Sequence, residues 1–188
     1  YFRFIINSSR IYWREEFEIL KSSDISENKD YKNKHKFDIA GTRLNNSQKK
    51  EQIQNLLNKL WAIGYLMHKW KFDSKSMGLW IMESKITEES ESSGGSGKSF
   101  MIKALQKLKI KTIVNLDGRK TKLTENPHML ENVNEFTDIL NIDDAKQYFD
   151  FDSFYSLITG NMTVNQKHTK SKELDFNESP KIAISSNF

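Results

Sequence analysis

With 188 residues the chain has room for one domain with a substantial core and a small helical appendage. Charged residues make up 29% of it and no apolar run approaches the roughly 20 residues that cross a bilayer, which argues against membrane residence. Cysteine is absent, which removes disulfide frameworks, thiol catalysis and cysteine-based zinc sites, while a net charge of +4 permits a polyanionic partner without requiring one.

The chain opens on Tyr1 with no signal-peptide pattern, and reads as a fragment or processed product. Residues 1–20 mix aromatic and β-branched residues with charges, as either a strand followed by a helix or part of a larger truncated unit would, and 21–40 read as a polar linker or exposed loop. From Ser47 to Lys71 the residues Ile53, Leu56, Leu57, Leu60, Trp61, Ile63, Leu66 and Met67 recur at helical spacing. This predicts an amphipathic helix with one broad buried face, capped by Asn46 or Ser47. His35, His68, His128 and His168 stand too far apart to form a metal-ligand pattern.

From residue 77 strands and helices alternate. Strands are predicted at 77–83 (MGLWIME), 110–118 (IKTIVNLDG), 136–142 (FTDILNI) and 180–187 (PKIAISSN). A helix of about three turns follows Lys98, and another covers AKQYFDFDSFYSLITG. The alternation predicts an α/β fold with a mostly parallel sheet flanked by helices at 73–188, preceded by a mainly helical segment with its polar linker at 1–72.

Between the first predicted strand and the first helix of this region lies SESSGGSGKSFMIKAL, residues 90–105. A phosphate loop needs glycines so that backbone N–H groups can turn inward, a lysine to reach the β and γ phosphates, and a hydroxyl for Mg²⁺. Gly94, Gly95, Ser96, Gly97, Lys98, Ser99 and Phe100 supply these in order, with Ser92 where the usual pattern begins with glycine. The other reading of the same letters is a flexible Ser/Gly linker. The strand before and the helix behind favour the phosphate loop.

Nucleotide hydrolysis also needs carboxylates at the end of a neighbouring strand, one to hold Mg²⁺ and one to polarise the attacking water. Asp143 and Asp144 follow the third predicted strand; alone they would equally serve as caps for a following helix. Asn187 stands at the end of the last strand, where an amide can contact a γ-phosphate or the water. Between them GNMTVNQKHTKSKELDF places Lys167, His168, Lys170 and Lys172 on a turn flanked by β-prone residues, a pattern suited to phosphate contacts with single-stranded DNA and also to a solvated loop.

In SSGGSGKSF, LNIDDA, LITGNMTVNQKHTKSKELDFNESPK and KIAISSNF the sequence resembles the superfamily 3 helicases, most closely the poxvirus-like primase-helicases of phages, plasmids and integrated mobile elements. The resemblance implies an AAA+-like P-loop ATPase core that assembles into a ring, usually a hexamer, and moves on single-stranded DNA in the cytoplasm of a bacterial host. It implies ATP and Mg²⁺ as cofactors. Lys98 and Ser99 would bind phosphate and metal, Asp143 would support the metal, Asp144 would orient the water, Asn187 would sense the γ-phosphate, and residues 160–176 would form a hairpin in the ring channel. It further implies an arginine from an adjacent subunit, located beyond the sensor strand. Arg119 is the only arginine after residue 43 and sits too early to match, so weak binding and poor hydrolysis are expected of the chain by itself. The alternative is a non-motor P-loop scaffold or replication-initiator module whose hairpin binds protein.

Overall fold

A computed structural model describes residues 1–17, 25–82, 97–120, 122–167 and 170–187. The chain divides into two compact units, Tyr1–Tyr65 and Leu66–Phe188. No helix among the described residues is long and apolar enough to cross a membrane.

The first unit is helical: α1 (Phe2–Ser9), α2 (Trp13–Phe17), α3 (Ile25–Lys34) and α4, which begins at Asn46 and runs to Met67. The strand expected near the amino terminus is a helix instead. Ile5, Ile6 and Ser9 are buried, and the Ser9 hydroxyl donates to the Ile5 carbonyl at 2.7 Å, so burial of one helical face overrides the β preference of the aromatic and β-branched residues. Nor is 21–40 simply a linker, because α3 occupies its centre. The segment behind α3 is tied down by buried polar side chains. Glu16 accepts from the Gly41 N–H at 2.7 Å, Arg10 Nε donates to the Asp38 carbonyl at 3.0 Å, and Gln52 Nε2 donates to the Ile39 carbonyl at 2.7 Å.

The cap of α4 is Asn45, one residue before the predicted ones. Its side chain accepts the Gln48 N–H at 2.9 Å while Gln48 Oε1 accepts the Asn45 N–H at 3.0 Å, a reciprocal capping box. The broad apolar face predicted for this helix is also redistributed. Gln52, Ala62, Tyr65 and Leu66 are buried, whereas Ile53, Leu57, Leu60 and Trp61 are exposed.

The second unit is α/β. Its sheet contains β1 (Leu79–Ile81), β2 (Ile113–Asp117), β3 (Ile139–Ala145) and β6 (Lys181–Ser186), all parallel, in the order β1-β6-β3-β2. Helix α5 (Lys98–Lys107) packs against β3. A separate antiparallel hairpin pairs β4 (Met162–Val164) with β5 (Lys172–Leu174).

The period of two along β3 divides its side chains between two layers. Leu140 and Ile142 join Ile182, Ile184, Phe154, Met162, Val164 and Leu174 in the main core, which therefore ties the sheet to the hairpin. Asn141 faces the other way. Its Nδ2 donates to Asn115 Oδ1 at 2.9 Å, and Asn115 Nδ2 donates to Gln106 of α5 at 3.2 Å, so the polar residue that interrupts the apolar run belongs to a thread beneath the helix.

The strands predicted at 110–118 and 180–187 are trimmed to β2 and β6, and two further elements change more. β3 starts at Ile139 and continues through Asp143 and Asp144, so the two aspartates lie within the strand and not just after it. The helix expected over 145–160 shrinks to a 3-10 turn at Asp152–Phe154 and α6 (Tyr155–Thr159). Asp150 holds that turn by accepting from both the N–H and the hydroxyl of Ser153, while Phe149 packs against Phe151 and Phe154 at ring separations of 5.2 and 5.3 Å. Aromatic packing of an irregular segment replaces the first helical turns.

Candidate functional site

In an open parallel sheet the crevice for a ligand lies beyond the carboxyl ends of the strands. There the sheet order sets β6 between β1 and β3, and brings Ser185 and Asn187 alongside Asp143 and Asp144.

Gly97 adopts φ 83°, the left-handed region in which glycine carries no side-chain clash, and α5 begins at Lys98 directly after it. Gly94, Gly95 and Ser96 lie outside the described residues. Phe100 is exposed. Ser99, in the first turn of α5, donates its hydroxyl to Asp143 Oδ1 at 2.6 Å. One turn later on the same helix Lys103 Nζ meets Asp143 Oδ2 at 2.5 Å. Ser185 of β6 donates to Asp143 Oδ1 at 3.0 Å and accepts the Asp144 N–H at 3.1 Å, so one hydroxyl links both aspartates. Burial alone would push the Asp143 carboxyl up. The bonds from Lys103, Ser99 and Ser185 outweigh it and hold the group below the ordinary carboxylate value.

The register of β3 against β6 shifts between Ile142 and Ala145, and Asp144 has φ 61°. This irregularity aims the Asp144 carboxylate away from the α5 side, where Asp143 points. Asp144 Oδ1 accepts Asn187 Nδ2 at 2.8 Å, and Oδ2 forms an ion pair with Arg119 Nε at 3.5 Å. Arg119 follows β2, whose last residue Asp117 is in register with Asp143. Its Nε is 3.2 Å from Asp117 Oδ1 and its N–H donates to the same oxygen at 3.0 Å, which lowers the Asp117 carboxyl and raises the guanidinium further above its ordinary value. The turn needs Gly118. A Cβ there would stand 2.7 Å from the Ala145 Cα, and the Gly118 N–H donates to the Asp143 carbonyl at 2.7 Å.

Ser99, Asp143, Asp144 and Asn187 are therefore brought together by contacts among themselves and with Ser185, and Lys98 adjoins them at the start of α5. Lys103, Asp117, Arg119 and Ser185 belong to the same cluster and were not singled out by the sequence. The signals were there in part: Lys103 lies four residues after Ser99, and Asp117-Gly118-Arg119 is a turn at the end of a predicted strand. Arg119, too early in the chain to match an arginine beyond the sensor strand, reaches this site through the register of β2 and β3.

The basic turn lies elsewhere. Lys167 Nζ is 3.9 Å from Glu131 Oε2, and Lys172 Nζ, on β5, is 2.7 Å from Glu135 Oε2 and lowers that carboxyl. Lys170 is exposed, and His168 lies outside the described residues. A cleft of about 380 Å³ lined by Asp73, Asn161, Asp175 and Phe176, among others, sits at the hairpin root and shares no residue with the aspartate cluster.

The donors at Asp143 are hard oxygens, a carboxylate and the Ser99 hydroxyl, which suits Mg²⁺ better than softer metals. Among the described residues no three acidic or histidine side chains converge as a metal cage. A metal here would be held by Ser99 and Asp143 alone among these residues, with its remaining positions left to oxygens from outside the protein. No protein-family model matches the chain, and no curated protein matches it either.

Proposed function

We propose that the second unit is a P-loop ATPase core of AAA+ type, and that the protein is a DNA helicase of a phage or mobile-element replication system that couples ATP hydrolysis to movement on single-stranded DNA. The observation that carries the reading is the 2.6 Å bond from Ser99 to Asp143. It joins the start of the helix behind a Gly-Lys-Ser sequence to a carboxylate at the tip of a central parallel strand, the pairing that a nucleotide-bound magnesium requires.

In this reading the N–H groups at the start of α5 and the Lys98 ammonium bind phosphate. Ser99 and Asp143 hold Mg²⁺, which supplies charge neutralisation on the phosphates when bound. Asp144 takes the attacking water, and Asn187 fixes the orientation of Asp144 and reports the γ-phosphate. Ring assembly, the host cytoplasm and strand contact by Lys167, His168, Lys170 and Lys172 belong to the same proposal.

Mg-ATP at saturating concentration is expected to raise the melting temperature of the chain and Lys98→Ala to abolish that shift, while hydrolysis and its stimulation by single-stranded DNA are expected of a longer protein that supplies the neighbouring subunit's arginine. ATP protection with neither DNA binding nor stimulation would leave a nucleotide-binding module and remove the helicase. That second reading, a non-motor scaffold, draws on the pairing of Lys167 and Lys172 with Glu131 and Glu135, which offsets part of the charge a DNA hairpin would use.

A further inference from the structure

We infer that Lys103 is a positioning residue that occupies the cation position at Asp143, so that a divalent metal joins the site with the phosphates of its nucleotide and not ahead of them. The inference rests on the nucleotide-site reading above.

Three donors hold the Asp143 carboxylate: Ser99 and Ser185 fill Oδ1, and Lys103 takes Oδ2. The hydroxyl bonds are compatible with a metal, since a serine oxygen keeps lone pairs to offer. The ammonium is not, because it occupies an oxygen with a full positive charge and a bond of 2.5 Å. Lys103 is set there by the helix, one turn after Ser99 on the same face. Its side chain is about half exposed, so it can swing into solvent without disturbing the core.

The surrounding charge supports the same order of events. Lys103 and Arg119 stand against Asp117, Asp143 and Asp144 at one end of the sheet, so that each of the three carboxylates has a cation beside it. A bare divalent ion would enter a site whose carboxylates already have cation partners, and at Asp143 it would have to displace an ammonium. A nucleotide triphosphate brings negative charge of its own, and gives the released Lys103 ammonium a new partner beside the metal.

The test uses Mn²⁺ alone as the probe, with bound and free metal separated by electron paramagnetic resonance on the whole chain without nucleotide. Lys103→Gln is expected to bind Mn²⁺ at least tenfold more tightly than the unaltered chain. Lys103→Met should do the same, while Lys103→Arg, which keeps the cation, should stay with the unaltered chain. Adding Asp143→Asn to Lys103→Gln should remove the gain. Unchanged or weaker Mn²⁺ binding in both Lys103→Gln and Lys103→Met overturns the inference, as does a gain that survives Asp143→Asn. Failure of Mg-ATP to protect the unaltered chain against heat would sink the nucleotide reading instead, and the two results are read separately.

Discussion

The two ends of the parallel sheet handle charge in opposite ways. At the carboxyl ends three carboxylates meet cations in half-exposed side chains, within reach of solvent and of a ligand. At the amino ends cations are buried. Lys71 donates to the Ser179 hydroxyl at 2.5 Å and lies over the Phe176 ring, and Lys181, the first residue of β6, is 3.0 Å from His68 Nδ1. Asp138, just before β3, is shared by Lys111 at 3.4 Å and Lys69 at 3.9 Å. One end keeps its ion pairs partly exposed, where water can compete for them. The other fixes its cations in place, and the cost of burying them is borne by the fold.

The sharpest break in this comparison would come at the exchangeable end. Asp144→Asn keeps the shape of the side chain and removes the charge that would polarise water, so hydrolysis is expected to fall by about 10²-fold or more while Mg-ATP still raises the melting temperature. Equal loss of binding and turnover would instead make Asp144 a structural partner of Asn187 and Arg119.

Next in size is Gly118→Ala, at the turn that carries Arg119. The added methyl would meet the Ala145 backbone at 2.7 Å, closer than real contacts allow, and neither neighbour is a flexible side-chain end. A loss of about 2 kcal/mol is expected from denaturant melts, along with separation of Asp117 from Asp143 at the tips of β2 and β3. A substitution that leaves stability unchanged would mean that the turn is free to move, and that Arg119 is not fixed at the site.

How far the sequence foretold each end follows from where the signals lie. β6 was legible because Ile182, Ala183 and Ile184 form a short apolar run, and all are buried. Ser99 and Asp143 were legible as candidates because phosphate chemistry demands those residue types in that order. The limits of β3 were not, since Asp143 and Asp144 look like the end of a strand, and only pairing with Asp117, Ser185 and Ser186 shows that the ladder continues. Arg119 and Lys103 reach the site through register and helix pitch, which composition does not reveal. At the amino ends nothing local in the sequence says that Lys71 and Lys181 will be covered.

The buried lysines give a pH test of that end. Burial lowers Lys71 and Lys181 from 10.5 to about 8, and for Lys181 the charges of Lys111 and Lys71 add to the effect. Below pH 8 folded and unfolded chains both carry the ammonium groups, and the folded state bears the full cost. Between about 8 and 10.5 the unfolded chain holds more protons, so stability should rise with pH across that window. Urea midpoints at pH 7.5 and 9.5 should show the rise in the unaltered chain, and Lys71→Met with Lys181→Met should reduce it to the part that comes from Lys59, which burial also lowers to about 8. A midpoint that falls in that interval would show that these ammonium groups gain more from their surroundings than burial takes away.

The smallest expected effect lies in the hairpin, whose ion pair from Lys172 to Glu135 reaches the amino-end region, where the Glu135 carbonyl also accepts from Lys69. If pairing decides whether a cation is available, Lys170, exposed and without a carboxylate partner among the described residues, should count for more on a phosphate backbone than Lys172. Lys170→Ala should then reduce the slope of log affinity for single-stranded DNA against log salt by about 0.7, and Lys172→Ala by clearly less. Equal reductions would show that the 2.7 Å pair with Glu135 opens freely to DNA, and that this part of the amino end is as exchangeable as the aspartate cluster. No change with either substitution would take the hairpin out of DNA binding and favour a protein partner for it.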